Sequence, residues 1–99
     1  MEIVKFTPGA LAAIERYRKT LMISETHYLR IGIRQKNETN KRLLIGFDEK
    51  SDKDQAAVIN GLQVIYTPGE VFFFAGMVID FVEQDGKSGF TFTENVMNK

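Results

Sequence analysis

A single helical pattern near the N-terminus constrains the fold of this chain most strongly. From about Pro8 to Met22, apolar residues recur at intervals of three and four, which predicts one amphipathic helix. Thr7 precedes it as an N-cap residue, and proline suits the first helical position. No other long stretch has this periodicity, so the chain must combine one N-terminal helix with strands.

Period-two alternation predicts strands over most of the remaining sequence. The predicted strands are Ile3–Phe6, Leu29–Arg34, Leu43–Phe47, Ala56–Ile59, Leu62–Tyr66, Met77–Val82 and Gly89–Thr93. Asn60-Gly61 is a strong hairpin signal between two of them. Thr67–Glu70 repeats the capping pattern, and Val71–Ala75 forms either one helical turn or a short strand. The helix and the strands after it predict a β-rich α+β domain.

Composition limits the classes of protein to which the chain can belong. Its 99 residues, 43% of them hydrophobic, suit a single domain over residues 1–99. The start of the chain lacks a signal-peptide pattern, and the longest apolar runs fall far short of the ~20 residues of a membrane span. We therefore expect a cytoplasmic protein without membrane contact. Thirteen basic and thirteen acidic residues balance, which argues against a nucleic-acid partner.

The residue types needed for catalysis are scarce. The chain has no cysteine, which excludes thiolate nucleophiles and cysteine-held clusters. Its only histidine, His27, precedes a strand in a polar stretch and has no recognisable nucleophile motif around it. We expect that the protein is not an enzyme.

Two local features each allow two interpretations. The acidic stretch Asp48–Asp54 suggests calcium, but Lys50 interrupts the alternation of ligands, and an internal glycine and a closing glutamate are missing. We interpret Asp48–Gln55 as a solvated loop without regular structure. Phe72-Phe73-Phe74 places three aromatic residues in a row, which indicates either a packed core or an interface.

Six segments occur in an order that resembles a known family. They are Thr7-Pro8-Gly9-Ala10, Leu29–Arg34, Gly46-Phe47-Asp48-Glu49, Asn60–Val64, Ala75–Val82 and Ser88–Phe92. In this order the chain resembles the HesB/IscA family, the A-type carriers of iron–sulfur cluster assembly. The resemblance implies a domain of two packed small sheets with one N-terminal helix. It also implies a homo-oligomer and protein partners, those of iron–sulfur assembly being the natural candidates.

The resemblance also marks where the family's ligands would stand. Family members hold a cluster or iron with three cysteines, one in the loop after the first central strand and a Cys-Gly-Cys pair near the C-terminus. The first position corresponds here to Glu38, and the sequence reaches Lys99 without the pair. The resemblance therefore implies a cysteine-less divergent member that binds no cluster, needs no cofactor and serves as an accessory or protein-interaction paralogue.

An alternative is a protein that binds a small ligand or a hard metal ion through the Gln35–Arg42 loop. Asn37, Glu38 and Asn40 would supply the polar groups. A carboxylate suits Mg, Ca or Fe ions better than a sulfide cluster. The basic residues between Arg34 and Arg42 are interspersed with Glu38, and we interpret this stretch as a solvated loop rather than a phosphate site.

Overall fold

The computed structural model describes residues 3–35 and 41–94, and it has the expected α+β, β-rich architecture. The elements in chain order are β1 Val4–Phe6, α1 Pro8–Thr20, β2 His27–Gln35, β3 Lys41–Glu49, β4 Gln55–Ile59, β5 Leu62–Tyr66, a 3₁₀ turn Pro68–Glu70, α2 Val71–Phe74, β6 Met77–Gln84 and β7 Lys87–Glu94. Every strand that the alternation predicts is present. In the described ranges, no helix has the length and apolar character needed to cross a membrane.

The chain forms two compact units, each built on one sheet. The first comprises the residues up to Ile23 and those from Gly76 onward, and the second is Ser24–Ala75. The first sheet has the order β1-β6-β7, with β1 parallel and β7 antiparallel to β6. The second has the order β3-β2-β5-β4. The two predicted sheets are therefore confirmed, while a single domain over residues 1–99 stays a prediction.

In the first unit, helix α1 begins at a hydrogen-bonded N-cap. The Thr7 hydroxyl accepts from the backbone N–H of Ala10 at 3.1 Å and donates to Asp80 Oδ1 at 2.6 Å. The backbone N–H of Phe81 also donates to Asp80 Oδ1, at 2.8 Å. Thr7 therefore caps the helix and links its start to β6, as its position before Pro8 predicts.

The apolar face of α1 packs in the core of this unit. Ala10, Ala13 and Ile14 are buried on the helix. One turn further along, the Tyr17 ring meets the Phe81 ring edge to face at 6.0 Å, and Phe81 meets Phe90 of β7 at 4.9 Å. These aromatic pairs join helix and sheet and add to the stabilisation from buried area.

Helix α1 ends earlier than its apolar periodicity predicts. It stops at Thr20, and Met22 adopts a left-handed backbone with φ 54°. The N–H of Ile23 donates to the carbonyl of Arg18 at 2.9 Å, and that of Met22 to Lys19 at 3.2 Å. This is a Schellman ending, in which the reversed chain satisfies the last carbonyls of the helix. The backbone reversal leaves Met22 exposed, although the predicted helix includes this residue.

In the second unit, the inner strands β2 and β5 form the core. Leu29, Ile31, Val64 and Ile65 are buried, and Leu29 lies opposite Val64 in the parallel β2–β5 pair. The hairpin between β4 and β5 turns at Asn60-Gly61, with φ 55° and 79°. Two consecutive positive φ values are typical of a type I′ turn, so the predicted hairpin is confirmed.

The prediction that Asp48–Gln55 is a solvated stretch without regular structure is wrong at both ends. β3 continues to Glu49, β4 begins at Gln55, and Asp54 is buried. The physical reason is that Arg30 of β2 forms ion pairs with Asp48 and Asp54. Likewise, the loop predicted over Gln35–Arg42 is shorter, because Gln35 pairs with Lys41 and Arg34 with Arg42 in the sheet.

The three consecutive phenylalanines divide between core and surface. Of the two structures left open for Val71–Ala75, the chain adopts the helical turn, α2. Phe74 is fully buried and meets Tyr66 edge to face at 6.2 Å, whereas Phe72 is 83% exposed and Phe73 36% exposed. A helical turn rotates successive side chains by about 100°, so three adjacent rings cannot share one environment. The core interpretation is therefore correct for Phe74, whereas Phe72 lies at the surface.

Replacing Thr7 by alanine should lower the free energy of unfolding by about 1–2 kcal/mol, because a helix cap and a partly buried partner of Asp80 are lost together. Urea denaturation measures this change. Thr7→Ser keeps the hydroxyl and should lose clearly less. Equal losses in the two variants would show that the hydroxyl contributes nothing.

Phe74→Ala should lower the free energy of unfolding by about 3–5 kcal/mol, as expected for an aromatic side chain removed from a core. Phe72→Ala, the matched exposed substitution, should stay within about 0.5 kcal/mol of the unchanged protein. Urea denaturation of both variants tests the division. A larger loss in Phe72→Ala than in Phe74→Ala would contradict it.

Candidate functional site

The predicted ligand residues Asn37, Glu38 and Asn40 lie outside the described residues. The structure does describe the strands on either side, which pair antiparallel without interruption from His27–Glu49 to Gln35–Lys41. The strands that flank the family's ligand loop are therefore paired as far as Gln35 and Lys41. Whether its polar groups bind anything stays a prediction.

One face of the β2–β3 hairpin carries an open groove of about 410 Å³. Its lining includes Arg30, Gly32, Leu44, Gly46, Thr67 and Glu70. Apart from Gly46 itself and its two chain neighbours, no described atom lies within 4 Å of where a Cβ on Gly46 would stand, and a Cβ on Gly32 would approach Glu70 Oε1 to 3.1 Å. The two glycines keep this face open because they place no side chain on it.

The strongest electrostatic feature of the hairpin is the Arg30 guanidinium. Its Nη1 and Nη2 donate to Asp54 Oδ1 and Oδ2 at 2.9 and 2.6 Å, a bidentate pair. Its Nε donates to Asp48 Oδ2 at 2.8 Å. The network joins β2 and β3 to the residue that precedes β4, and the fork geometry of arginine suits two carboxylates at once.

Both carboxylates are held in the charged form. The Arg30 hydrogen bonds, followed by the backbone N–H of Ser51 at 2.9 Å, hold the pKa of Asp54 far below its usual range. The backbone N–H of Glu49 and then Arg30 lower the pKa of Asp48. Asp54 in turn raises the pKa of Arg30. A carboxylate with such a low pKa is unsuited to donating or accepting protons near neutral pH.

Asp48 and Asp54 of the acidic stretch are therefore both engaged by Arg30. Ser51 donates to Asp54 Oδ2 through its hydroxyl at 3.2 Å as well as its N–H, and Arg30 donates to Oδ1 and Oδ2, so both oxygens of Asp54 are engaged. Within residues 3–35 and 41–94, no group of three His, Asp or Glu side chains is arranged to hold a metal.

His27 lies at the start of β2, beside an exposed turn. Its Nδ1 is 3.4 Å from the Thr26 hydroxyl, which is 3.0 Å from the Ser24 hydroxyl. The Ser24 hydroxyl also accepts from the backbone N–H of Thr26 at 3.2 Å, as in a serine-stabilised turn. These contacts shape the turn that leads into β2.

Sequence reasoning missed the Arg30 network. The sequence does carry a signal for the Arg30–Asp48 contact. When β2 and β3 pair as a hairpin, Arg30 lies opposite Gly46, and Asp48, two residues further along β3, is on the same face of the sheet. Asp54 carries no such signal, since it lies outside both strands. Its contact depends on how the turn at Ser51 folds back.

The fold and the hairpin define a class of protein, a small β-rich domain of the IscA and SufA type. IscA solved with a [2Fe–2S] cluster aligns with a TM-score of 0.70 and 19% identity over 93% of this chain and 82% of that chain. Escherichia coli SufA, involved in biosynthesis of iron–sulfur clusters, gives 0.68 and 19% over 92% and 84%. The solution structure of an Aquifex aeolicus protein gives 0.69 and 25% over 93% and 91%.

The sequence itself matches the family described as iron–sulphur cluster biosynthesis over residues 1–99. The chain belongs to this family, and its resemblance to the HesB/IscA carriers is confirmed. No curated protein sequence matches it. It is a member without cysteine in these 99 residues.

Stability should fall in acid in a way that depends on Asp54. Its pKa is lower in the folded than in the unfolded chain, where an aspartate titrates near ~3.9, so the unfolded state binds protons first as the pH falls. The contribution is complete above that unfolded pKa and is lost as the pH falls through the folded one. Urea midpoints measured from pH 6 to pH 2 should drop less steeply in Asp54→Asn than in the unchanged protein.

Asp52→Asn is the matched control for this titration, since it removes one exposed carboxylate from the same loop and leaves the Arg30–Asp54 pair in place. Its acid profile should follow that of the unchanged protein. If Asp54→Asn also follows that profile, the ion pair does not stabilise the fold.

Proposed function

We propose that this protein acts in iron–sulphur cluster biosynthesis through protein contacts and does not itself carry a cluster. The observation that supports the proposal is a family fold combined with a chain of 99 residues that has no cysteine. The family's thiolate chemistry has no residue to perform it within this sequence.

The donor chemistry of the chain argues against a bound cluster. Iron–sulfur clusters are held by thiolates, with histidine as the occasional replacement, and these 99 residues offer one histidine and no cysteine. The resemblance places Glu38, a hard oxygen donor, at the first ligand position. One hard donor does not match a cluster that prefers soft sulfur ligands.

An exposed apolar surface supports the proposal that the protein acts through protein contacts. Phe72 is 83% exposed and meets Phe73 edge to face at 5.9 Å, so the two rings form an apolar patch at the surface. Large exposed aromatic side chains are costly in water and are enriched at protein interfaces. Proteins of iron–sulfur assembly are the partners that family membership favours.

We also propose that the protein is not an enzyme. The chain's one histidine takes part in an exposed hydroxyl turn, and Asp54, the buried carboxylate of the described part, is held charged by Arg30. Neither arrangement supplies a poised general acid or base.

Anaerobic reconstitution tests the proposal. After incubation with ferrous iron and sulfide and removal of excess reagent, the protein should stay colourless and retain no stoichiometric iron or sulfide. IscA, whose solved structure holds a [2Fe–2S] cluster, is the positive control for the procedure. Stoichiometric cluster absorbance that elutes with the folded protein would overturn the proposal.

Glu38→Gln distinguishes a cluster from the alternative of a hard metal site. If iron without sulfide stays bound to the unchanged protein and is lost in Glu38→Gln, the Gln35–Arg42 loop binds a metal ion through its carboxylate. If neither protein retains iron, the metal alternative fails and the non-carrier proposal stands.

A further inference from the structure

The groove on the β2–β3 hairpin contains a carboxylate that the fold does not use. Glu70 Oε1 lies 3.1 Å from where a Cβ on Gly32 would stand, so its carboxylate lies against the space that this glycine leaves free. Among the residues that the structure describes, no donor or cation is paired with this carboxylate. Thr67 also lines the groove, and its hydroxyl makes no capping hydrogen bond. The groove therefore presents two polar groups to a ligand.

The backbone of Glu70 is held in place by its neighbours in the chain. Its N–H donates to the carbonyl of Thr67 at 2.8 Å, which closes the 3₁₀ turn Pro68–Glu70. Helix α2 follows directly, and its last residue, Phe74, is fully buried. A ligand would thus meet a carboxylate on an ordered backbone, which lowers the entropy cost of binding.

The charges around the groove favour a cation. Arg30 is positive, but Asp48 and Asp54 both pair with it and are held in the charged form. With Glu70, three carboxylates are set against one guanidinium, so the groove is net negative. Within residues 3–35 and 41–94 no three His, Asp or Glu side chains converge on a metal position. A single free carboxylate suits an organic cation better than a metal ion.

The lining of the groove suits an arginine side chain. Leu44, which is 40% exposed, supplies apolar surface, and Gly32 and Gly46 place no side chain in the way. Arginine has an aliphatic stem that packs on apolar groups and a planar guanidinium that donates two parallel hydrogen bonds to one carboxylate. The volume of about 410 Å³ has room for such a side chain.

The surroundings favour an arginine that a protein presents over a free small cation. The groove is open to solvent, so a free cation would bury only part of its surface, whereas small-ligand sites cover most of their ligand. Phe72 of the exposed apolar patch follows Glu70 by two residues, so their Cα atoms are at most about 7 Å apart. Aromatic residues and arginine are both enriched at protein interfaces.

We propose that this groove binds an arginine side chain of a protein partner, with Glu70 accepting hydrogen bonds from its guanidinium. The inference rests on the proposed function, in which the protein acts through protein contacts, and it adds where a partner docks and what chemistry the partner offers. The partner segment would carry an arginine flanked by apolar residues, which would contact the patch of Phe72 and Phe73.

Titration with a capped leucine–arginine–leucine tripeptide tests the site, followed in the amide NMR spectrum of the isotope-labelled protein. The N–H signals of Gly32, Gly46 and Glu70 should shift progressively as the peptide is raised to millimolar concentration. The same tripeptide with citrulline in place of arginine has nearly the same shape and no charge. It should bind at least about tenfold more weakly, because the charge-assisted hydrogen bonds are lost. A lysine tripeptide should also bind more weakly, since an ammonium group cannot bind a carboxylate bidentately.

Two variants separate charge from shape. Glu70→Gln removes the charge and should weaken binding of the arginine tripeptide by about tenfold. Gly46→Val should also weaken it, because the new side chain fills the groove at a position where the Cβ has no described atom within 4 Å outside its own chain neighbours. Glu83→Gln removes an exposed carboxylate from β6 of the other unit and should leave binding unchanged. Dispersed amide signals establish that each variant is folded.

Three results would each overturn the inference. The first is a titration in which the arginine tripeptide shifts neither Gly32 nor Gly46. The second is a citrulline or lysine tripeptide that binds as tightly as the arginine tripeptide. The third is a folded Glu70→Gln that binds as tightly as Glu83→Gln. The titration is independent of cluster reconstitution: a retained cluster overturns the proposed function, whereas a cluster-free protein that ignores the peptide overturns the arginine site alone.

Discussion

The Arg30–Asp54 pair is the interaction on which the second unit depends. Arg30 lies on the inner strand β2, and its guanidinium donates two hydrogen bonds to the buried carboxylate of Asp54. It also donates one to Asp48 on the edge strand β3. Removing either partner would leave a charged group poorly satisfied, which costs more than the pair contributes when intact. The geometry of the β2–β3 hairpin, and with it the groove, therefore depends on this contact.

The sequence predicts the elements of this fold because its local signals agree. Pro8, the alternation in β2 and Asn60-Gly61 each dictate a local conformation, and the structure confirms all three. Local signals fail where long-range contacts decide. The burial of Asp54 depends on a guanidinium 24 residues away in sequence, and the end of α1 depends on a chain reversal that places Met22 at positive φ.

The candidate site is predicted less well, for a different reason. The resemblance identifies the position of the family ligand, Glu38, by order along the chain, but affinity depends on which donors converge in space. In the described residues, such polar groups have structural roles instead. Asp48 and Asp54 bind Arg30, and the hydroxyl of Thr7 caps helix α1. Family membership thus predicts the fold of this protein more securely than its chemistry, since strands β2 and β3 pair regularly although the sequence has no thiolate ligand.

Native mass spectrometry of the protein purified anaerobically from cells tests the central claim most directly, since it weighs the folded chain with whatever it carries. The account predicts the mass of the polypeptide alone, or of its oligomer, with no added iron or sulfide. Mass increments that correspond to iron and sulfide, lost together when the protein unfolds, would contradict the claim that this member of the family works without a cluster.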